Sequence, residues 1–170
     1  VVGVHYKPVR GSGEALEAYA DDIIANSSIP SVAHMLNSNE QNNQLPDQIK
    51  DLEYGASLLT VYFGFNKKLK DIGSKYYSTF VFDDSIQTPK DIKQNNTADF
   101  AQRSYTFVDY SQVDSALCPE DKSVGVICCI DHLSDWEKLS PEAYKHKKEE
   151  VAQIFIEKLD KLIPGVKEYI

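Results

Sequence analysis

Four segments of the chain are rich in apolar, β-branched and aromatic residues and are separated by polar stretches, which is typical of β-strands. The segment 57–65, SLLTVYFGF, is apolar almost throughout, so it predicts a central strand. The other three predicted strands are 76–83, 103–111 and 123–131. Because the stretches between the four strands show no helical period, we expect an antiparallel sheet rather than parallel strands joined by helices.

The C-terminal part of the chain has the period of an amphipathic helix. Ser140 is a favourable N-cap, Pro141 is a favourable first residue, and Pro164-Gly165 ends the pattern. The apolar residues that recur at helical spacing are Tyr144, Val151, Ile154, Phe155, Leu159 and Leu162. We therefore predict a helix over about 141–162, with Ile154 and Phe155 buried against the sheet. The expected fold class is α+β, an antiparallel sheet of strands of mixed length with helices packed on one face.

The segment 14–28, EALEAYADDIIANSS, allows two interpretations. Its apolar residues fall at helical spacing, and Ala, Leu and Glu favour helices, so the segment alone predicts a helix. Together with VVGVHY before it and the glycine-containing break at 11–13, it predicts instead a hairpin followed by a strand in DDIIANSS, 21–28. Short helices are predicted farther along, at 31–36 and 46–52, with a polar loop at 37–44 between them.

The composition narrows the classes of function. A length of 170 residues indicates one domain, and 18 Lys and Arg against 26 Asp and Glu give a net charge of −8. That charge argues against a nucleic-acid-binding surface. The chain has no apolar run long enough to span a membrane, and its three cysteines do not form a disulfide pattern. It opens on VVGV rather than on Met, which suggests a piece of a longer protein.

No set of residues in the sequence forms a recognisable catalytic or metal site. The four histidines are scattered, and the group DHLSD at 131–135 predicts a capped turn rather than a metal site. Phosphate-binding loops and serine nucleophile motifs are absent, and GSG at 11–13 predicts a turn rather than a dinucleotide motif. Cys128 and Cys129, within a predicted strand, are expected to be buried small apolar residues. Catalytic residues therefore stay unknown, and no metal is expected.

The aromatic residues are concentrated on the predicted strands. Since side chains alternate between the faces of a sheet, about half of them must point away from the helices. Two interpretations remain: an ordinary core with scattered surface tyrosines, or an apolar binding face. The aromatic residues of the three strands are Tyr62, Phe63, Phe65, Tyr76, Tyr77, Phe80, Phe82, Tyr105, Phe107 and Tyr110.

The order of several short motifs resembles the phytoene desaturase-like flavoproteins, a family that includes carotenoid desaturases, carotenoid isomerases and retinol saturases. In that family a hairpin leads into an A-D-x-V-I-x-N strand, then an S-x-x-x-x-Y-x-G strand, and later a Trp, a Y-x-x-x-K pattern and a helix that ends at P-G. The residues that match are Ala20, Asp21, Ile23, Ile24 and Asn26, then Ser57, Tyr62 and Gly64, and finally Trp136, Tyr144, Lys148 and Pro164-Gly165. The resemblance covers nearly all of the chain, and the order of the motifs is more specific than any single one.

The chain departs from the family in two places. The family has a D-P-x-x-A-P-x-G turn before the Trp, and the matching segment 114–121, DSALCPED, has Asp121 where the family favours Gly. The glycine-rich motif that binds FAD is absent. The resemblance therefore implies that this chain matches the substrate-binding domain of a two-domain enzyme. In that interpretation residues 1–30 are a hairpin and strand that return toward the missing flavin domain, and residues 31–170 are the substrate-binding domain. The family's strand at 21–28 also favours strands over a helix in the segment 14–28.

The resemblance implies a function for the parent protein, a FAD-dependent oxidoreductase that acts on a long polyene or another apolar molecule. The fragment alone is expected to be inactive and to bind no cofactor tightly, with FAD held by the full-length parent. Its expected partners are an apolar small-molecule substrate and the missing flavin domain, and the open sheet face would also allow a homodimer. Tyr62 and Tyr105 are the predicted substrate-binding residues, because a tyrosine keeps its hydroxyl in water while it offers an apolar ring. The expected location is cytoplasmic, or peripheral to a membrane in the parent.

Two other classes of function stay open from the sequence. One is a stand-alone binding module with an aromatic groove for an apolar ligand or a partner peptide. The other is an interaction or structural domain that does not descend from an enzyme. The full reading frame of the gene distinguishes them, since a glycine-rich strand–helix unit upstream of residue 1 supports the flavoprotein and a start codon there supports the alternatives.

Overall fold

The computed structural model describes residues 2–9, 13–36, 44–53, 55–113 and 116–170. The chain divides into two compact units, Val1–Tyr54 and Gly55–Ile170. The strands are β1 (Gly3–Tyr6), β2 (Leu16–Tyr19), β3 (Ser57–Phe65), β4 (Ser78–Val81), β5 (Tyr105–Asp109) and β6 (Ser123–Asp131). The α-helices are α1 (Ile29–Met35), α2 (Leu45–Ile49), α3 (Pro89–Asn95) and α4 (Pro141–Leu162). Short 3₁₀ helices lie at Leu69–Ile72, Tyr110–Gln112, Leu133–Asp135 and Val166–Tyr169.

The N-terminal unit contains a hairpin and two short helices. β1 and β2 pair antiparallel, from Gly3 opposite Tyr19 to Tyr6 opposite Leu16. The helical interpretation of this segment is therefore wrong, and the hairpin is confirmed. The predicted strand at 21–28 is also wrong, because these residues belong to no sheet and Ile24 is 95% exposed. Residues 11 and 12 of the turn predicted at 11–13, and residues 37–43 of the loop predicted at 37–44, lie outside the described residues.

The C-terminal unit contains a four-stranded antiparallel sheet in the order β3-β6-β5-β4. All four strands predicted for this part of the chain are present, and β3 and β6 have the predicted bounds. β3 is an edge strand, so the prediction of a central strand was wrong. The apolar run in β3 has another cause: Phe63 and Phe65 point into the core, whereas Leu58 and Tyr62 point to solvent.

The polar stretch between β4 and β5 contains a helix that the sequence analysis missed. Thr88 and Asp91 form a capping box at the start of α3, in which the Asp91 carboxylate accepts hydrogen bonds from the Thr88 amide at 2.7 Å and from the Thr88 hydroxyl at 2.9 Å. The signal was present in the sequence as T-P-K-D, a cap followed by proline and by an acid three residues after the cap. The helix has no apolar stripe, so the hydrophobic pattern of the sequence does not predict it.

The long helix α4 covers one face of the sheet and confirms the predicted α+β class. The Ser140 side chain accepts a hydrogen bond from the Ala143 amide, 3.2 Å away, and so caps the helix. Phe155 is fully buried and packs edge-on against Tyr105, with 5.8 Å between the ring centroids. Ile154 is only half-buried, contrary to expectation, because the buried stripe runs through Val151, Phe155 and Leu159. The core contains Phe63, Phe65, Leu69, Tyr105, Phe107, Ile127, Cys129, Val151, Phe155, Leu159, Ile163 and Val166.

A glycine at the centre of β6 makes this close packing possible. Gly125 faces the helix-covered side, and a Cβ added there would lie 2.7 Å from Cε2 of Phe107 and 3.2 Å from Cε2 of Phe65. Both rings are buried and cannot move away cheaply. Gly64, in the neighbouring strand β3, has open space around its Cα and faces the other side of the sheet.

Replacing Phe155 by alanine tests the packing of α4. We expect Phe155→Ala to lower the free energy of unfolding by about 3–5 kcal/mol, because it removes a large ring from a filled core. Gln153→Ala, at an exposed position of the same helix, should change it by less than about 0.5 kcal/mol. Urea denaturation of both variants measures the difference, and equal stabilities of Phe155→Ala and the unmodified chain would show that the helix does not pack in this way.

The two strand glycines provide a matched pair for the sheet itself. Gly125→Ala is expected to destabilise the protein by about 1–3 kcal/mol, since the new methyl group overlaps the Phe107 ring. Gly64→Ala should be neutral or stabilising by up to about 1 kcal/mol, since it restricts the unfolded chain and meets no atom. Thermal denaturation followed by circular dichroism distinguishes the two. A tolerated alanine at position 125 would contradict the register of β5 and β6.

Candidate functional site

The face of the sheet opposite α4, called here the outer face, is the candidate site. The strand register places Thr60, Cys128, Thr106 and Phe80 in one row across the four strands. Side chains in such a row point to the same side of a sheet, and every second residue along each strand joins them. The side chains of the outer face belong to Leu58, Thr60, Tyr62, Ser78, Phe80, Thr106, Val108, Val124, Val126, Cys128 and Ile130.

The outer face is apolar and uncharged. None of its strand residues is acidic or basic, and its largest side chains are open to solvent: Tyr62 is 72% exposed, Phe80 71% and Leu58 62%. Monomeric proteins rarely expose apolar side chains in a contiguous group unless the group binds something. The arrangement can hold an apolar molecule against a flat surface. It offers hydroxyl groups and a thiol but no ionised group for acid–base chemistry.

The structure does not bring the two predicted substrate-binding residues together. Tyr62 lies on the outer face, whereas Tyr105 lies on the opposite face and is 5% exposed. The Tyr105 hydroxyl donates a hydrogen bond to the backbone oxygen of Lys158 in α4, 3.2 Å away. Burial raises the pKa of Tyr105 to about 12. The alternation of the strand explains the separation: odd-numbered residues of β3 and β5 face the helix, and Tyr105 belongs to that set.

Two residues of the outer face were not identified by the sequence analysis as site residues. Phe80 occurs in a short edge strand, and its orientation depends on pairing with Thr106. Cys128 was expected to be buried like Cys129, but it is half-buried on the outer face and only Cys129 lies in the core. Strand alternation predicts that one of the two cysteines faces outward. It does not predict which one, because the sequence does not say which face the helix covers.

The DHLSD segment forms a turn with an unexpected role for Asp131. Its carboxylate lies 2.9 Å from the Arg103 guanidinium and accepts a second hydrogen bond from Nε1 of Trp136 at 2.7 Å. Arg103 also lies over the Phe100 ring, 4.2 Å from its centroid. The prediction that Asp131 caps the turn is therefore wrong. Asp131 pairs instead with Arg103, a buried cation from another part of the chain. Among the described residues no group of three or more His, Cys, Asp and Glu side chains could hold a metal ion.

The described residues do not fit the phosphates of FAD. Such a group needs free amides at the start of a helix, usually after a glycine-rich turn. Each of the four helices has proline in its first turn, and the starts of α1, α3 and α4 are capped by Ser28, Thr88 and Ser140. The described part of the connection near Gly13 leads into strand β2 and not into a helix.

Comparisons with known proteins add one partial similarity. A segment of 59 residues is 39% identical to prolycopene isomerase, chloroplastic, from Arabidopsis thaliana. The segment makes up 34% of this chain and 10% of that protein, so the chain matches a small part of its relative. No family model matches the chain, and no solved structure matches it. The chain is thus similar over part of its length to one enzyme of the type that the sequence motifs suggested.

Among the residues that the structure describes, no helix is both long enough and apolar enough to cross a membrane.

The cysteines test which face of the sheet is open. Reaction with iodoacetamide at about pH 8 should modify Cys128 much more slowly than Cys118 and should leave Cys129 unmodified. Burial raises the pKa of Cys128, and it raises that of Cys129 to about 11, so little reactive thiolate forms at either position. Peptide mass spectrometry over time gives the three rates. Modification of Cys129 before Cys128 in the folded protein would mean that the two faces have been assigned the wrong way round.

Proposed function

We propose that this chain is the substrate-binding part of a FAD-dependent oxidoreductase related to carotenoid-modifying enzymes, and that its outer face positions a polyene. The observation that supports this most directly is the outer face itself, an uncharged surface with Tyr62, Phe80 and Leu58 exposed. A long polyene is apolar along its whole length, so a flat apolar surface matches its chemistry. The partial similarity to prolycopene isomerase supports the same class of substrate.

The flavin would be held by other parts of the parent protein. When bound, FAD supplies the electron-transfer chemistry, while the protein supplies position and a water-free environment. The residues of this chain would contribute only the position of the substrate and the water-free environment. The rings of Tyr62 and Phe80 would contact the chain of the substrate, and Val126 and Ile130 would form the apolar floor between the edge strands. No residue of the chain is assigned a catalytic role.

A second candidate function is a stand-alone module that binds a ligand or peptide through an aromatic groove. It is favoured by a groove of about 590 Å³ that is lined in part by Trp136 and Tyr144. In this case the reading frame of the gene would encode no flavin-binding unit. The two surfaces share Leu58, Thr60 and Tyr62, whereas Phe80 belongs only to the outer face and Trp136 only to the groove. Variants of Phe80 and Trp136 therefore distinguish the two candidates.

Binding of retinol, a fluorescent polyene, tests the proposed role of the outer face. The 170-residue chain should enhance retinol fluorescence, and Tyr62→Asp and Phe80→Asp should each weaken binding by about tenfold or more. The reason is that each variant places a charge where the apolar ligand must lie. Tyr19→Asp is the matched control, because Tyr19 is 73% exposed but belongs to the N-terminal hairpin. Tyr105→Phe should also leave binding unchanged.

Two results would contradict this proposal. The first is retinol binding that Phe80→Asp does not weaken, since the ligand would then not lie across the outer face. An effect of Tyr62→Asp alone would place the ligand in the groove, which Tyr62 also lines. The second is a flavin spectrum that stays with the isolated chain through gel filtration. In that case the chain would contain a flavin site itself and could not be only the substrate-binding part.

A further inference from the structure

The free edge of β3 is an unprotected strand edge. β3 lies at one end of the sheet, has nine residues and contains no proline and no charged residue. Natural proteins usually protect such an edge with lysines, prolines, bulges or a covering segment, because it can pair with another chain. β3 has none of the first three, and its length allows several backbone hydrogen bonds to a further strand.

The hydrogen bonds inside the sheet show which backbone groups reach this edge. The Asp109 amide donates to the Tyr77 oxygen on the β4 side, 2.8 Å away. In an antiparallel pair, successive residues direct their backbone groups to opposite sides. Thr106 is even-numbered, unlike Asp109, so its backbone groups form hydrogen bonds with its partner Cys128 in β6. The even-numbered residues of β6 thus face β5, and the backbone groups of its odd-numbered residues face β3.

The same alternation continues into β3. Ile127 of β6 is opposite Val61 of β3, so the backbone groups of the odd-numbered residues of β3 form the hydrogen bonds with β6. The N–H and C=O groups of Leu58, Thr60 and Tyr62 consequently point to the free edge. Among the described residues, none of these groups takes part in a backbone hydrogen bond outside the sheet. Asn66 is also even-numbered and directly follows β3, and its amide donates a hydrogen bond to the backbone oxygen of Tyr169 at 2.8 Å. This side of the chain therefore already forms one backbone hydrogen bond with another segment.

A groove follows this edge, called here the β3 groove. It has a volume of about 590 Å³ and lies between β3 and the first half of α4. Its apolar lining includes Val61, which points from β3 toward α4, and Val151 of α4. Trp136 and Tyr144 form an aromatic wall, with their rings in an edge-to-face arrangement at 5.6 Å. The groove therefore offers pockets for side chains beside the exposed backbone groups.

The β3 groove also contains a cation. Lys148 lines it, and its ammonium group lies 5.7 Å from the centre of the Tyr144 ring. Within the described residues no carboxylate lies within ion-pair distance of Lys148. The acidic residue in the groove, Asp131, is already paired with Arg103. A ligand of the groove can therefore gain an ion pair if it has a carboxylate at that end.

We propose that the β3 groove binds an extended segment of a partner protein as a fifth strand, with alternate apolar side chains and a carboxylate beside Lys148. Addition of a strand to a free edge is a common mode of peptide recognition, in which main-chain bonds supply affinity and alternate side chains supply specificity. A second copy of β3 is a poorer match, since SLLTVYFGF has no carboxylate to offer Lys148. The groove shares Leu58, Thr60 and Tyr62 with the outer face. The inference rests on the second candidate function, which uses the same groove, and not on the binding of a polyene.

Synthetic peptides test the inference. The probes are fluorescein-labelled eight-residue peptides that alternate valine and threonine and have one glutamate, placed at a different position in each peptide. At least one should bind the 170-residue chain in fluorescence anisotropy. Methylation of every second backbone nitrogen should weaken its binding by at least about tenfold, because main-chain bonds are lost. Thr60→Pro should weaken it similarly, since proline there removes an edge N–H without breaking the β6 ladder, and Thr60→Val is its control.

Charge reversal tests the role of Lys148. Lys148→Glu should weaken binding of the glutamate peptide by about fivefold and strengthen binding of a peptide that has lysine at that position. Lys145→Glu is the matched control, because Lys145 is exposed on the same helix, pairs with Glu149 and does not line the groove. The proposal is overturned if no probe binds, if N-methylation has no effect, or if both lysine variants behave alike. It is also overturned if sedimentation shows a dimer that Thr60→Pro dissociates and the peptides do not, since the occupant would then be a second copy.

Discussion

The packing of one long helix against one face of a four-stranded sheet determines most of this structure. Phe155 of α4 enters the space between Tyr105 and Phe100, and Gly125 allows the Phe107 ring to approach the backbone of β6. This side of the sheet holds almost all of the buried apolar residues. Because the C-terminal unit has a single long helix among its described residues, the opposite face of the sheet does not receive the same cover. The candidate site is thus a direct consequence of a two-layer core.

Buried polar groups join the ends of the strands to the surrounding loops. The pair Arg103 and Asp131 connects the start of β5 to the end of β6, and Trp136 adds a third member. Lys158 donates three hydrogen bonds to the backbone oxygens of Phe100, Ala101 and Arg103, and its burial lowers its pKa. Such buried pairs add little net stability compared with apolar packing, but loss of one partner would be costly. Here they hold the loop before β5 against α4, which keeps Tyr105 and Phe107 in register with the helix.

Two adjoining surfaces, which share Leu58, Thr60 and Tyr62, result from this arrangement, and they suit different ligands. The outer face is flat, apolar and uncharged, and it presents side chains but no free backbone groups in its centre. The β3 groove presents backbone donors and acceptors, an aromatic wall and a lysine. The partial similarity to prolycopene isomerase bears on the class of substrate proposed for the outer face. The interpretation of the groove depends only on the geometry of the strand and of α4.

Local patterns in the sequence determined the helix α4, the positions of the four strands of the larger sheet and their antiparallel class. These features depend on periodicity and on caps such as Ser140, which act over a few residues. The tertiary structure alone decided that β3 is an edge strand, that Tyr62 and Cys128 face outward while Tyr105 and Cys129 face the helix, and that Arg103 pairs with Asp131. The physical reason is that alternation defines two faces of a strand without saying which one a helix will cover. Similarly, an ion pair between residues 28 positions apart has no local signal, since it exists only once β5 and β6 are adjacent.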